Sequence, residues 1–210
     1  MLTLGLTGLY TLGELVTGLL TDSLALVADA AHMFSDSLSI GVALIAIWLA
    51  DRPATPRRTF GFQRAEILAA LFNGVALVAI AIWIFIEAGM RFGDPPEVDA
   101  GPVLAVAFGG LVINLVAARI LHAGAGESLN VAAALRHVLA DLLGSVGVIV
   151  SAAIILATGW EYADPIVSVV IGLLVLVSSW AILRDSTAIL LEASPRGIDV
   201  GELGQAMAAT

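Results

Sequence analysis

The chain has 210 residues, of which 60% are hydrophobic and 13% charged, with a mean hydropathy of +1.02 and a formal net charge of −9. Soluble domains sit near half apolar and a quarter charged, so this composition excludes a water-soluble globular protein and leaves the membrane class. The chain has no cysteine, which excludes disulfides and thiolate metal sites and restricts any metal to imidazole and oxygen ligands.

A hydrocarbon core of about 30 Å needs roughly 20 residues per helical span, and the sequence predicts six spans. The first, about 2–20, is polar for its length, with Thr3, Thr7, Thr11, Glu14 and Thr17 on one stripe. Such stripes face a bundle interior; Glu14 either joins a polar pathway or bonds a neighbouring helix. Nothing resembles a signal peptide, so Met1 is expected to begin directly in this span. After the break at Thr21-Asp22-Ser23, the second span, about 24–50, carries Asp29, His32 and Asp36. An arginine-rich loop from Asp51 to Arg58 leads to a third span at about 65–92. Gly93-Asp94-Pro95-Pro96 ends it, and the fourth follows at about 101–122. The short Gly124–Glu127 turn opens the fifth, about 129–157, with Asn130, His137, Asp141 and the small residues Gly144, Ser145 and Gly147. Thr158–Glu161 breaks again before the sixth, about 165–190, where Pro165 suits a first helical position.

The fold class expected is therefore all-α, an integral membrane bundle of six transmembrane helices. Residues 1–190 form the transport domain and 191–210 a short C-terminal segment. Arginine distribution sets the orientation. Arg52, Arg57, Arg58 and Arg64 flank one loop, with Arg119, Arg184 and Arg196 on the same side, against Arg91 alone opposite. Both termini are expected in the cytoplasm.

The chemistry lies in two His-x-x-x-Asp pairs, His32/Asp36 and His137/Asp141. Residues four apart project from one helical face about 5–6 Å from each other, so each face offers two ligands to one ion. At 1.5 Å per residue both pairs fall roughly 12–18 Å from their own membrane faces. The helices are antiparallel, so His32 should stand level with Asp141, and Asp36 with His137. Four N/O ligands suit Zn²⁺, whereas hard cations want six or more oxygens. The blander reading is buried polar residues that glue helices together. Two matched pairs at one depth, each costly in hydrocarbon, favour an ion path. Asp29 lies on the same face as His32, either as an acceptor that fixes the imidazole tautomer, as a proton relay, or as an acid near the outer mouth. Asn130 lines the cytoplasmic mouth or caps the fifth helix.

These residues resemble a known family. Leu24 through Asp36 is similar to the second-helix signature of the cation diffusion facilitators. Thr59–Leu68 resembles their entry into the third helix, Leu129–Gly147 their fifth helix, and Asp164-Pro165 with Leu191–Asp199 their sixth helix and its exit. The resemblance covers nearly the whole chain. It implies a proton-coupled exporter of Zn²⁺, working as a homodimer by alternating access, with Cd²⁺ or Co²⁺ as further substrates. It implies a multi-pass location in the bacterial inner membrane, no cofactor and no nucleic-acid partner. His32 matches the zinc branch, since the manganese branch carries Asp there. Two departures stand out. The Ala123–Glu127 loop lacks the family's histidines, and the chain stops at Thr210, where a cytoplasmic αββα domain usually follows. The expectation is a tail-less member or a truncated one. A membrane metalloenzyme is the rival class, but the His-Glu-x-x-His pattern is missing and four closed ligands leave no position for a catalytic water. A passive metal channel is the other alternative.

Overall fold

The computed structural model describes residues 2–50, 64–124 and 129–193. The arginines at 52, 57 and 58, the 125–127 turn and the 194–210 tail lie outside that set. The described residues form six helices: α1 (Leu2–Leu20), α2 (Leu24–Ala50), α3 (Arg64–Arg91), α4 (Ala100–Gly124), α5 (Leu129–Thr158) and α6 (Ala163–Leu190). The predicted spans match these within a few residues. One start differs: α6 begins at Ala163, so Pro165 is its third residue and not its first. The cost is nil, because the first-turn N–H groups of a helix have no intrahelical acceptor and proline merely lacks one of them.

Four of the described stretches are long and apolar enough to cross a membrane: Ile67–Arg91, Ala100–His122, Val138–Thr158 and Ala163–Leu190, with a shorter apolar stretch at Gly8–Leu20. The distribution of polarity is the reverse of a water-soluble bundle. Leu20 is 79% exposed and Val177 73%, whereas Glu14, Asp29, Asn73, Asn114, Ser145 and Asp164 are buried. An apolar exterior with polar groups turned inward is what a hydrocarbon solvent selects.

α3 packs along α6 and α4 along α5, while α2 touches α1, α3, α5 and α6 and so runs through the middle of the bundle. The apolar core joins Leu26 of α2, Ile84 of α3, Val103 of α4, Val148 of α5 and Ile171 of α6.

The start of α2 is fixed by groups distant in sequence. α1 ends in a left-handed residue, Asp22 (φ 56°), with Ser23 N–H bonded to Gly18 O at 3.0 Å, a helix-ending arrangement that aspartate tolerates. Ser23 then caps α2, its Oγ accepting from Leu26 N–H at 3.2 Å. The remaining first-turn donors go to α6: Asp164 Oδ2 accepts from Leu24 N–H at 2.7 Å, Asp164 Oδ1 from Ala25 N–H at 3.3 Å and from the Ser23 hydroxyl at 2.7 Å. Arg91 at the end of α3 donates to Asp22 O and lies 3.8 Å from Asp164 Oδ2. The N-terminal ends of α2 and α6 and the C-terminal end of α3 are thereby tied together, at the end of the bundle that the arginine pattern assigns to the outside.

Candidate metal centre

Below that tie the second helix turns His32 and Asp36 toward α5. His32 Nε2 stands 3.6 Å from Asp36 Oδ2 on its own helix and 3.6 Å from Asp141 Oδ1 on α5. One ligand-type atom from each of the three residues lies within 4.8 Å of the others. The i, i+4 spacing on α2 produces the first contact, and the antiparallel crossing that sets His32 level with Asp141 produces the second. His137 lies on α5 one turn before Asp141; its side chain, and that of Asn130, are outside the described set.

The three side chains are partly exposed, at 15% for His32, 24% for Asp36 and 11% for Asp141. His32 and Asp36 border a cavity of about 230 Å³ that is also lined by Ile171, Val175, Ser178 and Ile182 of α6 and by Leu77 of α3. Asp29 and Gly144 also border it. The α6 wall has no distinct signal in the sequence, because an apolar helix with a few scattered serines looks like any other span.

Asp29 is buried and accepts a hydrogen bond from Ser145 Oγ at 3.4 Å. Glu14 lies elsewhere. It is fully buried on α1 against Gly110 of α4, beside the Tyr10 hydroxyl, which donates to Val106 O at 2.6 Å. Glu14 does not border the cavity. Beneath the site, Ser35 Oγ donates to Asn73 Oδ1 at 2.7 Å, linking α2 to α3.

A membrane helix bundle with a His/Asp cluster beside an internal cavity belongs to the class of integral metal-handling proteins. Residues 1–191 match the family described as the cation efflux transmembrane domain, and the chain belongs to that family. It is 46% identical over 207 residues to the metal cation efflux system protein CzcD of Cupriavidus metallidurans, covering 99% of this chain and 66% of that protein. It is 48% identical over 204 residues to the zinc transporter ZitB of Escherichia coli (97% and 65%). With a cadmium, cobalt and zinc/H(+)-K(+) antiporter of Bacillus subtilis it shares 45% over 196 residues (92% and 63%). The chain therefore spans just under two thirds of the length of these curated relatives. Their names are those of transporters and efflux proteins, not enzymes. With four apolar spans and bacterial relatives, the chain is a multi-pass protein of the bacterial inner membrane.

Proposed function

We propose that this chain is the transport unit of a divalent-metal exporter that carries Zn²⁺, with Cd²⁺ and Co²⁺ as further substrates, out of the cytoplasm in exchange for protons. The ion binds between α2 and α5, held by His32, Asp36 and Asp141, with His137 as the fourth ligand.

The observation that carries this reading is the spacing of the ligand atoms. A tetrahedral ion with bonds of about 2.0–2.2 Å separates its ligands by roughly 3.3–3.6 Å. His32 Nε2 has Asp36 Oδ2 and Asp141 Oδ1 each at 3.6 Å. The relatives named for zinc, cadmium and cobalt transport support the same class of ion.

Binding needs neutral imidazoles and ionised carboxylates, so the metal displaces whatever protons these groups hold. Histidine titrates near neutral pH, which lets a change of access from one face to the other exchange metal for protons. Asp29, at the edge of the cavity, Glu14, in the α1–α4 interface, and Asn130, near the start of α5, are the accessory polar groups of this reading. The exporter works as a homodimer.

The test uses proteoliposomes containing the chain, an internal zinc-sensitive dye and an imposed pH gradient. The wild type is expected to accumulate zinc faster with the gradient than without it, and Asp141→Ala to reduce the rate to that of empty liposomes. Wild-type flux from Asp141→Ala would remove the site assignment. Flux indifferent to the gradient would favour a passive channel.

A further inference from the structure

One turn to the outer side of the His32–Asp141 pair, α2 and α5 approach closely through Asp29 and Gly144. Asp29 is three residues before His32 and Gly144 three residues after Asp141. A Cβ on Gly144 would stand 2.5 Å from Asp29 Oδ1 and 3.5 Å from its Cγ, so the carboxyl rests directly on the α5 backbone. Ser145 Oγ donates to the other oxygen, Oδ2, at 3.4 Å. Asp29 is 2% exposed and Ser145 1%, and the Ser145 hydrogen bond holds the carboxyl against the α5 backbone at the edge of the cavity.

The carboxyl of Asp29 therefore stands as a wedge between the two backbones, and its height limits how near α2 can come to α5. The ligands sit one turn away on the same two helices, so this height is passed to the distance between His32 and Asp141. That distance, 3.6 Å, is the variable that ion size reads. An ion with bonds about 0.2 Å longer needs ligand edges about 0.3 Å wider. Divalent metals are discriminated by geometry more than by raw affinity, so a spacer beside the site has a direct route to selectivity.

We propose that the Asp29–Gly144 contact is the spacer that sets the α2–α5 separation at the metal site and thereby fits the site to an ion of zinc's size over larger divalent ions. Asp29 and Gly144 are positioning residues in this role. The inference rests on the metal site proposed above and adds what tunes it.

The experiment measures Zn²⁺ and Cd²⁺ affinities separately, by competition with a chelating dye, on the full chain in detergent. Gly144→Ala inserts a methyl group where the wedge already touches. It is expected to weaken zinc binding by about tenfold, the size of effect seen when groups behind metal ligands are disturbed. Cadmium binding is expected to weaken less, so the zinc-to-cadmium ratio falls. In an Asp29→Ala background the same substitution has nothing to strike, and it is expected to leave the ratio unchanged. This double-mutant comparison isolates the contact from any other role of Asp29. An unchanged ratio in Gly144→Ala overturns the spacer, and so does an equal shift in both backgrounds. If Gly144→Ala does not fold, Asp29→Glu lengthens the wedge from the α2 side and is expected to lower the ratio; an unchanged ratio there overturns the proposal equally. His32→Ala, run alongside, keeps the two readings apart. Wild-type zinc binding in that variant sinks the site itself, whereas loss of binding there with an unmoved ratio in Gly144→Ala sinks the spacer alone.

Discussion

At the scale of single residues, the bundle depends on places where a side chain is absent. Gly110 of α4 is the counterpart of Gly144. A Cβ there would lie 2.5 Å from the Tyr10 hydroxyl and 3.1 Å from Glu14 Oε1. Gly110→Ala must therefore push α1 away from α4 or strip Tyr10 from its bond to Val106, and overpacking of this kind costs typically about 1–3 kcal/mol. The site is on α2 and α5, so zinc affinity should stay within about twofold of wild type while the melting temperature in detergent falls, since separate sites act additively. A matched loss of zinc affinity would mean that the α1–α4 interface shapes the site. This scale also marks how far the sequence could be read. The His32/Asp36 pair was legible because i, i+4 spacing dictates a shared helical face whatever the surroundings. In the sequence Gly144 is legible only as one of three small residues, with Ser145 and Gly147, in the fifth span. That it makes room for the carboxyl of Asp29, 115 positions earlier in the chain, depends on the rotation of two helices about their axes, which local spacing does not encode.

At the scale of elements, the N-terminal end of α2 is held by α6. Asp164 accepts from Leu24 N–H, Ala25 N–H and the Ser23 hydroxyl, and is itself 1% exposed. Its charge also suits the positive end of the α2 dipole. Asp164→Ala would leave these buried donors without an acceptor, at a cost of roughly 3 kcal/mol or more. Thermal unfolding in detergent should show the loss, and Asp164→Asn should fall between alanine and wild type, because its amide keeps only one acceptor oxygen. Asp164→Ala melting with the wild type would mean that other groups satisfy the α2 terminus. The sequence showed Asp164-Pro165 as the opening of a helix. It hid the fact that the aspartate serves a different helix, because a cap donated from 140 residues away leaves no local signature. The six spans themselves were plain, since an apolar run of membrane length with turn residues between is set by the solvent and not by tertiary detail.

At the scale of the whole molecule, the two ends of the bundle are unequal. The first residues of α2, Leu24 to Ala28, are at most 6% exposed and lie beneath the Asp164–Arg91 tie. Exposure then rises to 15% at His32 and 24% at Asp36, and the cavity extends beside them along α6 to Ser178 and Ile182. Among the described residues the more exposed side of the site is thus toward the end where α2 finishes, which the arginine pattern assigns to the cytoplasm. On the function proposed above, an exporter in this arrangement would offer its site to cytoplasmic metal and would have to loosen the outer tie to release it. The absence of cysteine makes the asymmetry measurable on a clean background. Ser178→Cys should react with a membrane-impermeant maleimide at least about tenfold faster when the reagent is on the cytoplasmic side, as expected if the alternative conformation is a minor state of a few per cent. Ile84→Cys, at a fully buried position of α3, should remain unreactive from either side. Adding Asp164→Ala to Ser178→Cys removes the tie and should raise the outside rate while leaving the inside rate within about twofold, because the energy added to the closed outer end shifts the population toward the outward-open form. Equal rates from both sides without that substitution would show that the tie does not hold the outer end closed.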